Sequence, residues 1–180
     1  MRYKDPDKIP LLFDAALKII GANGLVGLKM SVLAKEAGMA TGTVYLYFGN
    51  KADLLDAMYE HFQQKLAERM TNGIQERATY EAQLRQKWYN YLLFLQQHPL
   101  EHYFLSQYRH AAGRKSQRQT NSTDGLQSMR ELLREGQQNG ILKKMPAELL
   151  LVQMCGSIYE MLEAANDGRL GALTELPHHA

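Results

Sequence analysis

Apolar residues recur along most of the chain at the three- and four-residue spacing of an α-helix, and no stretch alternates as a β-strand would. The first stripe predicts a helix that begins near Asp7, a suitable N-cap, and ends near Asn23, where Gly24 can take a left-handed cap conformation. Two short helices, 31–37 and 41–47, follow on either side of Gly38-Met39-Ala40. The N-terminal part therefore consists of three small helices.

Longer helices are predicted in the rest of the chain. Asn50 is the expected N-cap of a helix from Lys51 to about Met70. Further helices are expected over 80–97, 99–111, 122–139 and 146–166, with a polar and basic loop over 113–122 that contains Arg114, Lys115 and Arg118. The pattern thus predicts an all-α protein of about nine helices, divided into a head (1–50), a connecting helix (51–73) and a helical body (74–180).

The last of these helices is apolar on most of its circumference over residues 149–162. A helix of this kind needs a covering surface on both faces. In so small a body we expect the second surface to be the same helix of another copy, which makes the protein a homodimer. Leu151 and Ile158 are the apolar positions that we expect to be exposed in a single chain.

Composition narrows the class of protein. The 180 residues are 45% hydrophobic and 22% charged, which is typical of a globular domain. The single cysteine, Cys155, allows neither an internal disulfide nor a cysteine-based metal site. No long apolar run and no secretory signal is visible, so we expect a soluble, cytoplasmic protein with no membrane partner. Residues 1–52 carry seven basic and four acidic side chains, an excess that favours a polyanionic partner.

The most informative stretch is 29–48, two short helices joined by a turn that contains a glycine, which is typical of a helix-turn-helix unit. Ala34 lies where the two helices cross, and Gly38 permits a positive φ at the turn. Hydroxyl-bearing side chains are left on the outward side of the second helix, where they can contact phosphates and base edges in a major groove. The outward positions are Thr41, Gly42, Thr43, Tyr45 and Tyr47.

This stretch resembles the DNA-binding signature of TetR-type (tetracycline-repressor-like) regulators over about 23 residues, from Leu33 to Leu55. The signature includes Tyr45-Leu46-Tyr47-Phe48 and then Asn50-Lys51, and it lies in an N-terminal three-helix head followed by a helical body. The resemblance implies a sequence-specific transcriptional regulator, expected to repress from an operator in double-stranded DNA. It also implies a homodimer formed by the last two helices and a small-molecule effector, bound in the body, that releases the DNA.

The resemblance also assigns roles to individual residues. It implies that Tyr45 reaches base edges and that Thr43, Tyr47 and Lys51 contact phosphates. Sequence preference is expected to depend on Thr41 and Gly42. Where the family often has Ser or Thr at the start of the second helix, this chain has Lys29, with Ser31 two residues later, so we expect a weaker cap and an added phosphate contact. The last helix is shorter than the family usually has, so we expect either that the sequence is cut short there or that the dimer depends mainly on residues 146–166.

Aromatic side chains with polar tips are concentrated in the body, which suits a cavity for an aromatic or cationic ligand. The expected ligand-binding residues are Trp88, Tyr91, Tyr103, Phe104, Tyr108, Met154 and Tyr159.

Other candidate sites are less convincing. His98 and His102 are four apart, but Pro99 interrupts the helix between them and no third ligand has a suitable spacing, so no metal site and no cofactor is expected. Cys155 is expected to be an inert apolar residue. No catalytic motif is found, and an all-α enzyme is the least favoured of three hypotheses. The second hypothesis is an architectural or division-linked DNA-binding protein whose body binds a protein partner.

Overall fold

A computed structural model describes residues 5–75, 77–116 and 124–169, and in these residues it contains eight α-helices and no strand. The prediction of about nine helices is therefore close for this part of the chain, and the all-α fold is confirmed. The helices are α1 (Lys8–Gly27), α2 (Met30–Glu36), α3 (Thr41–Tyr47), α4 (Lys51–Thr71), α5 (Tyr80–Gln97), α6 (Pro99–Ser116), α7 (Gln127–Gln138) and α8 (Ala147–Asn166).

Several helix boundaries follow local chemistry that the sequence shows. α3 and α5 have the bounds that were predicted. Asn50 caps α4, because its Oδ1 accepts a hydrogen bond of 3.0 Å from the N–H of Asp53. Gly38 has φ 64° and Gly140 has φ 71°, so both turns use the left-handed conformation that glycine allows.

Three boundaries differ from the prediction. The helical range of α1 extends to Gly27, beyond the predicted end near Asn23, but Gly24 leaves the helical conformation with a φ of 65° and a ψ of 179°, as expected of it, so two helical segments are joined across a kink. α6 continues to Ser116, so Arg114 and Lys115 are helical and not part of a loop. α7 begins at Gln127, five residues later than predicted. The remainder of the predicted loop, including Arg118, lies outside the described residues.

The chain forms two compact units. The first unit comprises residues 1–66 and 98–125, and the second comprises residues 67–97 and 126–180. The first unit therefore contains α1 to α3, most of α4, and α6. Its core is formed by fully buried apolar side chains from all of these helices, among them Leu12, Ile20, Leu33, Val44, Leu54, Met58 and Phe104.

Helix α6 packs within the first unit against the helices of the head. Leu100 lies over Gly21 of α1, where an added Cβ would be 2.7 Å from the leucine Cδ2. The rings of Phe62 on α4 and Phe104 on α6 meet edge to face with their centroids 5.9 Å apart. The tip of Tyr108 donates a hydrogen bond to the carboxylate of Asp56. Helix α6 is thus a structural part of the unit that contains the helix-turn-helix.

By length and composition, α1 is the one described helix that could cross a membrane. Its buried side chains, among them Leu12, Phe13, Ala16 and Ile20, belong to the core of the first unit. The core helix of a soluble protein meets the same criterion, so this is weak support for a span.

The second unit is built from α5, α7 and α8 together with the end of α4. Tyr80 lies directly over Gly136 of α7, where a side chain would collide with the phenol. Arg130 of α7 donates a hydrogen bond of 2.6 Å to Glu148 of α8. The buried apolar side chains of α7, Met129, Leu132 and Leu133, form the centre of this unit.

Helix α8 corrects one prediction. Leu151 and Ile158 are 4% and 3% exposed, so they belong to the core of the second unit and are not surface positions. The opposite face of α8 is open in the single chain, with Val152 65% exposed and Leu149 and Tyr159 also exposed. The sequence of a helix that is apolar on all sides does not show which side packs inside the chain. For this reason the prediction took the buried face, with Leu151 and Ile158, for the exposed one.

Candidate nucleic-acid interface

Helix α2 is held in the first unit by its apolar side. Met30, Leu33 and Ala34 are buried, and the small Ala34 allows the close crossing that was predicted. Lys29 is the N-cap residue, with extended backbone and no side-chain capping bond. Its side chain and that of Ser31 are exposed at the start of the helix, where both can contact a backbone phosphate.

Backbone hydrogen bonds close the turn between α2 and α3. The N–H of Met39 donates to the carbonyl of Ala34 at 2.8 Å, and the N–H of Thr43 donates to the carbonyl of Ala40 at 2.8 Å. Between these bonds, Gly38 supplies the positive φ. The turn fixes the start of α3 at Thr41 and therefore the direction in which α3 projects.

Helix α3 exposes three of the five residues that were predicted to face outward, and the other two, Thr43 and Tyr47, are half-buried. Val44 is fully buried beneath the helix, whereas Tyr45 is 50% exposed. Thr41 and Gly42 are exposed, and Thr43 is half-buried. Apart from the chain neighbours of Gly42 and the backbone of its own helix, no heavy atom lies within 4 Å of the position of an added Cβ, so another molecule can approach the backbone there. Val32 and Leu46, which the sequence did not single out, add exposed apolar area to this unit.

Tyr47 has a partner within the protein that the sequence did not reveal. The backbone N–H of Asp5, just before α1, donates a hydrogen bond of 2.9 Å to the hydroxyl oxygen of Tyr47. The residue is half-buried. The hydroxyl accepts this bond and keeps its own hydrogen to donate, so a phosphate contact stays compatible with the geometry.

Lys51 also has a hydrogen-bond partner within the protein. It is the first residue of α4, and its ammonium donates a hydrogen bond of 2.6 Å to the carbonyl oxygen of Leu25, in the last turn of α1. An ammonium has three hydrogens, so two are left for a phosphate. The start of a helix also favours an anion through its free N–H groups.

The expected ligand-binding residues are divided between the two units. Tyr103, Phe104 and Tyr108 lie on α6 in the first unit, where the rings of Phe104 and Tyr108 stack with centroids 5.7 Å apart. Tyr103 is exposed. The second unit contains the others, with Tyr91 buried, Trp88 and Met154 half-buried and Tyr159 exposed.

The two histidines singled out in the sequence have different surroundings. Nδ1 of His98 lies 3.3 Å from Oε1 of Glu101, which also accepts a hydrogen bond of 2.8 Å from Lys65. For His102, burial and then the nearby Arg109 lower the pKa to about 4. In the described residues no group of three His, Cys, Asp or Glu side chains is placed to hold a metal ion.

Known proteins similar to this chain are transcriptional regulators. A fatty acid metabolism regulator protein of Bacillus subtilis is 40% identical over 84 residues, which are 47% of this chain and 43% of that protein. An uncharacterised helix-turn-helix regulator of Haemophilus influenzae is 35% identical over 99 residues, which are 55% of this chain and 53% of that protein. The aligned region thus spans about half the length of these curated relatives.

Solved structures resemble this chain over most of its length. A TetR-family regulator of Haemophilus influenzae has a TM-score of 0.74 at 26% identity, covering 89% of this chain and 86% of the other. The regulator FadR of Bacillus subtilis, solved with stearoyl-CoA, has a TM-score of 0.69 at 28% identity and covers 89% of both chains.

Two family models match the chain. Residues 12–58 match bacterial regulatory proteins of the tetR family, and residues 79–170 match the C-terminal domain of tetracycline-repressor-like proteins. The second match alone covers half of the sequence. The chain therefore belongs to the TetR family of bacterial regulatory proteins.

Proposed function

We propose that this protein is a sequence-specific DNA-binding transcriptional regulator of the cytoplasm, acting as a homodimer that represses from an operator and is released by a small-molecule effector. The observation that carries the proposal is the outward face of α3, where Tyr45, Thr41 and Gly42 are exposed above a fully buried Val44. Hydroxyl groups on a short exposed helix of a helix-turn-helix unit suit the major groove.

Each residue of this interface has a distinct role in the proposal. Tyr45 contacts base edges, and Thr41 with the bare backbone at Gly42 sets sequence preference. Thr43, Tyr47 and Lys51 donate to phosphates, which positions the helix without reading sequence. Lys29 and Ser31 add phosphate contacts at the start of α2.

The homodimer accounts for the open apolar face of α8. Leu149, Val152 and Tyr159 are exposed there in the single chain, although the opposite face is buried. A two-fold axis would bring the same face of a second copy against it. Such a pair would present two helix-turn-helix units to successive major grooves, roughly 34 Å or a multiple of that apart.

The effector is proposed to act through the conformational equilibrium of the protein. A ligand can favour a DNA-free conformation only if it binds that conformation more tightly. One relative is a fatty acid metabolism regulator and a similar solved structure holds stearoyl-CoA, so fatty-acyl compounds are the first effectors to test.

The experiment that tests the function is selection of bound duplexes from a random DNA pool by the full-length chain. A near-palindromic consensus is expected, and Tyr45→Ala should lose the preference for it. Stearoyl-CoA is then titrated into the complex, with release as the expected result. Binding without any consensus, together with a protein partner for the body, would instead favour an architectural DNA-binding protein.

A further inference from the structure

Leu46 is an apolar side chain on the outward face of α3. It is 39% exposed, whereas Val44 on the same helix is fully buried. Successive residues of an α-helix are about 100° apart around the axis, so Leu46 is rotated roughly 160° from Val44. Tyr45 is rotated only about 100° from Val44. Leu46 therefore lies closer to the direction opposite the core than the tyrosine that is proposed to contact base edges.

The helix is bare one turn before Leu46. Gly42 is exposed on the same face, and the space that a Cβ would occupy there is open. A surface that approaches α3 can therefore come closer at this point than a side chain would allow. Side chains on a helix lean towards its N-terminus, so that of Leu46 leans over the turn that begins at Gly42. Close approach at Gly42 thus brings the same surface to Leu46.

The side chains on either side of Leu46 carry hydroxyl groups. Thr41 and Tyr45 are exposed and Thr43 is half-buried. A hydroxyl can donate to or accept from a base edge, a phosphate or water. Leucine can do neither, and it gains free energy only when an apolar group replaces the water around it. Single exposed leucines are common, but this one is at the centre of the face that is proposed to meet DNA.

The major groove of B-DNA offers one apolar group to such a side chain. Each base edge there presents hydrogen-bond donors or acceptors, and thymine adds its C5-methyl group. Cytosine has an amino group where thymine has O4, and it lacks the methyl. An apolar side chain that covers the cytosine edge would leave the amino group without a partner, whereas contact with the thymine methyl excludes water from two apolar groups.

We propose that Leu46 is a specificity-determining residue that recognises a thymine in each half-site of the operator through apolar contact with its C5-methyl group. The inference rests on the proposed function, since it requires α3 to lie in the major groove. It adds a contact that carries no hydrogen bond to the polar contacts proposed for Thr41, Thr43 and Tyr45. Gly42 has a matching part, because its missing side chain lets Leu46 reach the base.

Deoxyuridine tests this contact because it differs from thymidine only by the missing C5-methyl group. The operator is first selected with the full-length chain. Affinity is then measured for duplexes in which one thymine of each half-site is replaced by deoxyuridine, one position at a time. The wild type should bind one of these duplexes more weakly, by roughly fourfold for each methyl contact that is lost.

Variants at Leu46 then show which side chain contacts the methyl. Leu46→Ala should weaken the thymine duplex by a similar factor and should bind the thymine and deoxyuridine duplexes equally. Leu46→Met retains an apolar side chain and should keep part of the preference. Val32→Ala is the matched control, because Val32 is an apolar residue of α2 with 41% exposure, and this variant should keep the full preference for thymine.

An unchanged preference for thymine in Leu46→Ala would mean that another side chain contacts the methyl, and would overturn the inference. A half-site without thymine, or equal wild-type affinity for all the duplexes, would also overturn it. If Leu46→Ala fails to fold, Leu46→Ser takes its place with the same expected result. Failure to select any consensus would overturn the proposed function and this inference together, whereas a consensus bound without a methyl effect would overturn this inference alone.

Discussion

The ammonium of Lys51 and the carbonyl oxygen of Leu25 are joined by a hydrogen bond of 2.6 Å that links the start of α4 to the last turn of α1. The break at Gly24 lies immediately before Leu25 and directs the last turn of α1 towards Lys51. A residue expected to contact DNA is thus also part of the internal structure of the head. Its substitution should have two separable effects.

Replacing Lys51 with Ala should weaken binding to operator and to random DNA by a similar factor. If the ammonium binds a phosphate, the slope of log affinity against log salt should fall by about one. Loss of the bond to Leu25 should also lower the free energy of unfolding by about 1 kcal/mol. Lys18→Ala, exposed on α1, is the control. An unchanged salt slope with lowered stability would assign Lys51 a purely internal role.

Replacing Tyr45 with Ala should act on specificity. The side chain is half exposed on α3 and has no core role, so stability should be nearly unchanged. Affinity for the operator should fall by about 1–3 kcal/mol more than affinity for random DNA. Competition titrations with both duplexes measure the difference. A uniform loss would mean that the base-reading surface lies elsewhere.

The dimer is tested on the open face of α8. Leu149→Glu with Val152→Glu places charges where a second copy would pack, and should give folded monomers with weak affinity for a half-site. Leu151→Glu is the contrasting variant, because that side chain is buried within the chain and its charge should unfold the second unit. Light scattering and circular dichroism distinguish dissociation from unfolding. Monomers that keep full operator affinity would contradict the link between dimer and DNA recognition.

Gly125 should not tolerate a side chain. An added Cβ would be 2.7 Å from Cδ2 of Leu66 and 2.8 Å from Oε1 of Gln63, whose oxygen also accepts the N–H of Gly125 at 2.8 Å. Gly125→Ala should therefore lower the free energy of unfolding by about 1–3 kcal/mol. Gly42→Ala, in open space on α3, should raise it by up to about 1 kcal/mol. Denaturant titrations of both variants without DNA provide the comparison.

Stability should fall in mild acid because of His102. Burial, and then Arg109, lower its pKa to about 4, below the value of roughly 6.5 for the unfolded chain. Between pH 4 and pH 6.5 the unfolded chain therefore binds more protons at this histidine than the folded protein does. The stability that comes from a neutral His102 is fully present above about pH 6.5 and is lost as the pH falls towards 4. The loss should be on the order of 2 kcal/mol. His102→Gln should show a flatter dependence over this range in thermal melts, and an unchanged profile would contradict the assignment.

Local chemistry made much of the fold predictable. Asn50 as a cap, Gly38 at the turn and the apolar stripe of α1 each act within a few residues, and the structure has them as the sequence indicates. Gly24 shows the limit of this reasoning. The helix leaves its regular path at Gly24, as expected, but a further helical turn follows the kink as far as Gly27, next to the buried Leu28.

The sequence could not predict contacts between segments that are far apart in the chain. The partner of Tyr47 is 42 residues away in sequence and that of Lys51 is 26 residues away, and no periodicity connects them. The burial of Lys87 was missed for the same reason, since a lysine is expected to be exposed unless it is paired. Its burial depends on the packing of α5 against α7 and α8 in the second unit.

The hydrogen bond between Asp5 and Tyr47 also matters for anyone who prepares the protein. An affinity tag joined ahead of Met1 is separated from Asp5 by only four residues, a reach of at most about 14 Å. Its histidines or linker would be close to the C-terminal end of α3, where they would add charge or steric bulk to the surface that is proposed to bind DNA. Operator affinities measured with a tag at this end should differ from those of the cleaved protein.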